Sequence, residues 1–433
     1  MMEELTFIDV FGGCGGLSLG LMQSGWNGLF TIEADSLAFE TLKANLLDEK
    51  SAYRYKWPQW LPEEPCEVSK FIETHLEELH KLDGKVTLIA GGPPCQGFSL
   101  AGRRKKNDPR NWLFRHYLEI VRIVKPKLLF FENVRGVAVE FGKKEKPAKK
   151  RRPGRPRVPF SERIKKHLEE LGYEVYPTLV RAAHFGVPQL RPRYIMIAIL
   201  KTLVPKTEGF SPYTWLKEIR TGFLANKKLP PRRPVSVKEA ISDLEMRGKT
   251  IVACEDTPGY TRIVYQKPLT PYQKILHGTM NGTGPNSMRI AKHSAVVRAR
   301  FKEILKSSRR GVQLSPEDRE RFKLKKQCTV PLSPKKPSHT LTSLPDDLIH
   351  YSEPRILTAR EYARLQSFPD WFEFKGKYTT GGKRRVRECP RYTQIANAVP
   401  PFLAEAVGIL LARVAKEIKG NQDVPASEAT KMK

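Results

Sequence analysis

The first two hundred residues alternate short β-type runs with helix-type patterns, and that alternation restricts the fold more than any other feature of the chain. Thr6-Phe7-Ile8-Asp9-Val10, Leu29-Phe30-Thr31-Ile32-Glu33, Val86-Thr87-Leu88-Ile89-Ala90 and Leu128-Leu129-Phe130-Phe131-Glu132 read as buried strands. Helical spacing lies between them, at Leu17–Met22, from Ser36 (read as the cap) to Leu47, and at Trp112–Val124. A helix around Ile164–Leu171 and strands near Tyr173–Val180 and Tyr194–Leu200 continue the series. This predicts an α/β fold with a mostly parallel, doubly wound sheet. In such sheets ligands bind outside the carboxyl ends of the strands. From residue 206 the pattern breaks up, prolines crowd 229–235 and 330–337, and a second, less regular domain is expected over 206–384. The first domain, 1–205, is completed by 385–420, and the polar tail 421–433 is expected to be disordered.

Several candidate chemical groups fall at the expected strand ends. Gly92-Pro93-Pro94-Cys95-Gln96-Gly97-Phe98-Ser99 follows the third strand, with proline fixing the backbone before the thiol. Cys95 is either a nucleophile or a small hydrophobe in a turn. The run Phe11-Gly12-Gly13-Cys14-Gly15-Gly16 allows backbone amides to approach a nucleotide-like ligand, and Glu33 is placed to accept from ribose hydroxyls. No Gly-Lys-Ser/Thr follows, which disfavours triphosphate chemistry. Glu132, in Glu132-Asn133-Val134, would share a crevice with Cys95, or serve as a capping carboxylate. Arg191 and Arg193, two apart on an extended segment, project to one face and either brace a site or form a basic strand edge.

With 76 Lys and Arg against 46 Asp and Glu, the net charge of +30 calls for a polyanionic partner. No apolar run approaches the roughly 20 residues of a spanning helix, and the start lacks a signal-sequence pattern. The six cysteines are scattered without CxxC pairs, so neither a metal site nor a disulfide framework is expected. An insertion over 142–159 carries nine basic residues against Glu145. Its centre, Arg152-Pro153-Gly154-Arg155-Pro156-Arg157, resembles an AT-hook with Pro153 in place of the first arginine; a generic phosphate-binding stretch is the other reading.

In order, Phe11-x-Gly13-x-Gly15-Gly16, Pro94-Cys95-Gln96, Glu132-Asn133-Val134, Gln189-x-Arg191-x-Arg193, Arg360-Glu361-Tyr362-Ala363-Arg364-Leu365-Gln366-Ser367-Phe368-Pro369 and Gln394-Ile395-Ala396-Asn397-Ala398-Val399-Pro400-Pro401 closely resemble the DNA (cytosine-5)-methyltransferase family. The likeness runs from Phe7 to about Gly408, apart from the insertion and 201–338. It implies an S-adenosylmethionine-dependent methyltransferase, with a Rossmann-like doubly wound sheet and a smaller, irregular target-recognition domain. Phe11 would lie on the adenine, the backbone around Cys14 and Gly16 on the methionine part, and Glu33 on the ribose. Pro94, Asn397 and Val399 complete the cofactor set; Glu67 stands in for the acid that usually contacts the adenine amine, and Ala34 replaces a frequent tryptophan. Cys95 would add to cytosine carbon 6, Glu132 would bind ring nitrogen 3 and the amine, and Arg191 and Arg193 would stabilise the carbonyl and nearby phosphate. Gln96 and Ser99 would close over a flipped-out base, with Arg152 and Arg155 as further DNA contacts. Gly97-Phe98-Ser99 favours duplex DNA over tRNA; a tRNA methyltransferase and a non-catalytic DNA-binding homologue are the alternatives. A restriction–modification or solitary role, a monomer, a cognate endonuclease as partner and no membrane complete the expectation. The location would be cytoplasm or nucleoid in a prokaryote and nucleus in a eukaryote.

Overall fold

The computed structural model describes residues 4–93, 113–138, 159–280, 284–380, 384 and 388–422. Six strands, β1 (Thr6–Val10), β2 (Asn27–Ile32), β3 (Leu88–Gly91), β4 (Leu128–Val134), β5 (Tyr173–Arg181) and β6 (Pro192–Leu200), form one sheet in the order β2-β1-β3-β4-β6-β5. The first four are mutually parallel, whereas β6 runs antiparallel to both β4 and β5. Strand order reverses between β1 and β3, so their carboxyl ends open the crevice where ligands bind in such sheets.

Helices α1 (Gly16–Gln23), α2 (Ser36–Leu46), α3 (Val68–Thr74), α4 (Leu76–His80), α5 (Leu113–Val124) and α6 (Phe160–Glu170) alternate with these strands. Strand residues pointing to alternate faces build two cores. Phe7, Leu88, Phe130 and Ile197 join α1 and α2 on one side, while Ile8, Ile89, Phe131 and Met196 join α3, α5 and α6 on the other. The cap of α2 is Asp35, whose carboxylate accepts the Ala38 N–H at 2.9 Å, and Ser36, read as the cap from sequence, is the first helical residue. The aspartate wins because an extended residue one step earlier aims its side chain at the free amides.

The remaining helices are α7 (Leu216–Asn226), α8 (Val237–Ile241), α9 (Pro271–His277), α10 (Ala295–Ser307), α11 (Pro316–Arg321), α12 (Ala359–Leu365), α13 (Arg391–Asn397) and α14 (Pro401–Gln422). Short strands β7 (Ile251–Ala253) and β8 (Thr261–Ile263) pair antiparallel, and β9 (Val330–Pro331) pairs parallel with β10 (Leu348–Ile349). Phe223, Val237, Tyr272, Tyr362 and Phe372 pack into the same core as α1 and α14. Two small clusters stand apart, one around Phe301, Ile304 and Phe322 and one around Leu244, Ile263 and Met288.

Two features lock this region together. Arg364 is fully buried between Asp243 and Asp370, with Nη1 and Nη2 donating to Asp243 at 2.8 and 2.9 Å and Nε and Nη2 donating to Asp370 at 2.7 and 2.6 Å. With Arg364 Nη1 also donating to the Ala240 carbonyl at 3.1 Å, the side chain joins α12 to α8 and the turn that follows it. Helix α14 lies against α1 so closely that a Cβ on Gly20 would sit 2.5 Å from the Pro401 carbonyl oxygen. By length and composition alone the stretch 391–419 is sufficient to cross a membrane, but it is broken between α13 and α14, and 72% of its apolar part is buried in the protein. It is a core element of this fold.

Candidate active site

The loop after β1 is shaped by backbone geometry that glycine makes possible. Gly13 and Gly15 take φ of 57° and 93°, and Phe11 itself sits at 72°. The Phe11 N–H donates to the Ile32 carbonyl at 2.9 Å, tying the loop to the end of β2. Glu33 continues from β2 and braces the same loop: Oε2 accepts the Gly13 N–H and Oε1 the Asp35 N–H, both at 2.8 Å. Burial pushes the Glu33 carboxyl up, and the amides from Asp35 and Gly13 oppose that rise. Each carboxylate oxygen keeps a lone pair for a ligand hydroxyl.

The segment joining α13 to α14 closes this loop from the other side. A Cβ on Gly16 would sit 2.5 Å from the Val399 carbonyl oxygen and 3.1 Å from Phe368 Cζ, so only glycine permits the contact. Buried polar side chains hold that segment: Gln366 Nε2 donates to the Ala398 and Ile395 carbonyls at 2.6 and 3.0 Å. Arg191 Nη2 donates to Ala398 and Asn397 carbonyls at 3.3 and 3.5 Å. Gln189 and Gln366 are hydrogen-bonded to each other, so the start of β6 and the end of α12 share one network.

Glu132 lies near the carboxyl end of β4, beside this network. Its Oε1 pairs with Arg193 Nε at 2.5 Å, and both side chains are almost wholly buried. Its Oε2 faces Gly92, 3.3 Å from where a Cβ would be. Asn133 Nδ2 donates to the Pro93 carbonyl at 3.0 Å, so Glu132-Asn133 holds the chain at the point where it leaves β3. Burial lowers Arg191 and Arg193, with the Arg193 charge adding to the effect on Arg191 and Glu132 opposing it on both. Two thiols border the same space. Cys14, raised to about 12 by burial, donates to the Gln394 carbonyl at 3.6 Å, and burial also pushes Cys389 up. Since the thiolate is the nucleophile, neither is an activated one.

One cleft of about 2010 Å³ collects these groups: Phe11, Cys14, Gly16, Glu33, Glu67, Glu132, Arg191, Arg193, Asn397 and Val399 all line it. Glu67 precedes α3 and is exposed at the rim. Pro94, Cys95, Gln96, Ser99, Arg152 and Arg155 lie outside the described residues, as do most of the insertion and the tail beyond 422. Sequence reasoning passed over two features. Asp9 is fully buried, and burial raises its carboxyl to about 7; a carboxylate inside an apolar strand was the available signal. Arg289 also lines the cleft, and nothing local marks it.

Residues 5–412 match the family model for C-5 cytosine-specific DNA methylase. The chain belongs to that family. Its members transfer a methyl group to carbon 5 of cytosine in DNA, and this chain is accordingly a DNA methyltransferase. Type II methyltransferase M.DdeI of Desulfomicrobium norvegicum is 30% identical over 419 residues, covering 93% of this chain and 87% of its own length. M.XorII of Xanthomonas oryzae pv. oryzae is 28% identical over 435 residues, covering 93% and 83%. Among solved structures, a prophage-encoded E. coli protein described as a DNA modification methyltransferase superimposes with a TM-score of 0.63 at 25% identity, covering 95% of this chain and all of that one. The S. pombe Dnmt2 methyltransferase shares the fold, with a TM-score of 0.53 at 15% identity and coverage of 96% and 100%.

Proposed function

We propose that the methylase binds S-adenosylmethionine in the glycine-loop half of the cleft and a flipped-out cytosine of duplex DNA in the Glu132 half. The observation that carries the reading is convergence: the carboxyl ends of β1, β2, β3 and β4 and the amino end of β6 meet at one cleft. The cradle fits the cofactor. Gly13 has open space where a side chain would stand, Glu33 offers acceptors for a ribose, and Phe11 offers an aromatic face. When bound, S-adenosylmethionine supplies an electrophilic sulfonium methyl.

The chain's own residues then have the following roles. The Cys95 thiolate adds to carbon 6 of cytosine, forming a carbon–sulfur bond and placing the ring electron pair on carbon 5. Glu132, aimed at Gly92 at the mouth of the Cys95 segment, shares a proton with ring nitrogen 3 through one oxygen and accepts from the exocyclic amine with the other, and so favours the addition. Arg193 holds the Glu132 carboxylate in place, and Arg191 holds the Asn397–Val399 turn that closes the cofactor end. Once that electron pair has formed the bond to the methyl group, loss of the remaining carbon-5 proton to solvent re-forms the carbon 5–carbon 6 double bond and expels the Cys95 thiolate. Gln96 and Ser99 cover the flipped base, Pro94 and Glu67 contribute to the cofactor end, and Arg152 and Arg155 are further DNA contacts. Within the expected target-recognition domain, 206–384, the segments that hold the two small clusters read the target sequence. The chain acts as a monomer alongside a cognate endonuclease that cuts the same sequence.

The test is methyl transfer from labelled S-adenosylmethionine to duplex DNA and to bulk tRNA, with a 5-fluorocytosine duplex to trap the adduct. Label in DNA, and a covalent complex that Cys95→Ala abolishes, are expected. Label confined to tRNA, or DNA binding without any adduct, would overturn the reading.

A further inference from the structure

Away from the glycine loop, the same cleft is lined by Tyr260, Arg289 and Tyr378. The Arg289 guanidinium carbon lies 4.3 Å from the centre of the Tyr260 ring and 3.9 Å from that of Tyr378. A planar cation is thus clamped by two aromatic rings. The clamp is itself anchored. The Tyr378 hydroxyl donates to Asp256 Oδ2 at 2.8 Å, and Arg391 Nη1 pairs with the same oxygen at 2.5 Å. Arg391 also stacks on Tyr378, 4.3 Å from the ring centre. On the other side, the Ile290 N–H donates to the Thr261 carbonyl at 2.8 Å and fixes Arg289 beside Tyr260.

What the clamp leaves free is informative. Arg355, Arg360, Arg364 and Arg391 each spend their donors on acceptors within the protein. Arg289 makes no hydrogen bond or ion pair among the described residues, and the neighbouring Asp256 is already engaged by Arg391 and Tyr378. Both rings lie within stacking distance of the guanidinium carbon, and its N–H donors have no acceptor among the described residues. A fork of fixed plane matches two acceptors on one rigid edge, and the commonest such partner on DNA is guanine O6 and N7. A phosphate needs no fixed plane, and the exposed Lys292, 5.1 Å from the Tyr260 ring centre, suits that role.

We propose that Arg289 is a specificity-determining residue that reads one guanine of the recognition sequence in the major groove, preorganised by Tyr260 and Tyr378. The inference rests on the DNA reading above and adds to it the side chain and the base. Preorganisation matters because the side-chain ordering cost of a long arginine is met before DNA arrives.

The experiment uses the full chain. Bisulfite sequencing of methylated genomic DNA defines the wild-type sequence, and selection of binding duplexes from a randomised pool gives it independently of methyl transfer. Arg289→Ala and Arg289→Lys should relax selection at a single guanine and lower methylation of the wild-type sequence on the order of 10- to 100-fold. 7-Deazaguanine at that position, which removes only the N7 acceptor, should weaken wild type and leave Arg289→Ala unaffected. Tyr260→Phe should keep the preference, and Tyr260→Ala should lose part of it; matching thermal melting curves show that the variants are folded. Uniform weakening across all sequences with a shallower salt dependence would identify a phosphate contact and overturn the proposal, as would unchanged selection. A wild-type chain that selects a guanine through Arg289 yet methylates no DNA would sink the catalytic reading and uphold this one.

Discussion

Alanine at Gly16 should weaken the proposed cofactor end of the cleft, although the same substitution ordinarily strengthens a helix. Gly16 opens α1, and its φ is not in the left-handed region, so a Cβ brings no backbone strain. Replacing glycine by alanine inside a helix would add roughly 0.5–1 kcal/mol. Here the new carbon would stand 2.5 Å from the Val399 carbonyl oxygen and 3.1 Å from Phe368 Cζ. An ordinary contact is about 3.4 Å or more, so one neighbour must retreat by close to 1 Å. Neither yields easily: Phe368 is fully buried, and the 398–399 turn is held by Gln366 and Arg191. Overpacking of this kind costs roughly 1–3 kcal/mol, which exceeds the helix gain. We expect Gly16→Ala to lose about 1–2 kcal/mol in urea unfolding and to weaken S-adenosylmethionine binding about tenfold by calorimetry, because Asn397 and Val399 are pushed out of line. Gly13→Ala is the contrast: nothing lies within 4 Å of its Cβ, but its φ of 57° strains any other residue. A Gly16→Ala protein that binds cofactor as wild type does would refute the steric argument.

Asp9 titrates near 7 instead of the ordinary 3.8, chiefly because burial disfavours its charge. The folded chain therefore holds an extra proton between those values, and stability is lost as pH rises through them, by about 4 kcal/mol for a gap of about three pH units. Asp9→Asn cannot titrate, so its stability relative to wild type should rise from pH 4 to pH 8 in urea titrations; a difference flat with pH would exclude this origin. Arg364→Met should destabilise the fold by about 3–5 kcal/mol, because Asp243 and Asp370 are left buried without their cation; a loss under about 1 kcal/mol would mean that the network relaxes. Deleting residues 143–157 should weaken DNA affinity and flatten its dependence on salt, and an unchanged slope in fluorescence anisotropy would leave the insertion without a DNA role.

Local pattern carried the sheet and much of the cleft. The apolar runs around Phe7, Phe30, Ile89 and Phe131 became strands because each buries both faces, and the glycine loop, Glu33 and Glu132 follow their ends. Direction was not legible: β6 has the same apolar composition as its parallel neighbours yet runs the other way. Partnership at long range was equally hidden. Nothing local marks Arg360 and Arg364 as core residues, and they are fully buried because Asn286 and Asp243, distant in sequence, supply acceptors. Arg289 needed the juxtaposition of Tyr260 and Tyr378, residues about 120 positions apart, which no spacing rule anticipates.

The reversal of β6 is what brings arginines to the site. A parallel strand would present its carboxyl end at the cleft, and Pro192 and Arg193 would then lie at the far edge of the sheet. Running antiparallel, β6 begins at the cleft, with Val134 opposite Arg193 and Glu132 opposite Ile195. Arg193 is then a diagonal neighbour of Glu132 on the same face, within reach of two long side chains. Shifting the register by one residue would turn Arg193 to the opposite face and strand Glu132 in a nearly buried position. The spacing of Gln189-x-Arg191-x-Arg193 follows from the same geometry: alternate residues share a face, so the three polar side chains act together. Gln189 binds Gln366, Arg191 binds the 397–398 carbonyls and Arg193 binds Glu132. One segment leading into β6 thus links the Glu132 half of the cleft to the glycine-loop half through three side chains.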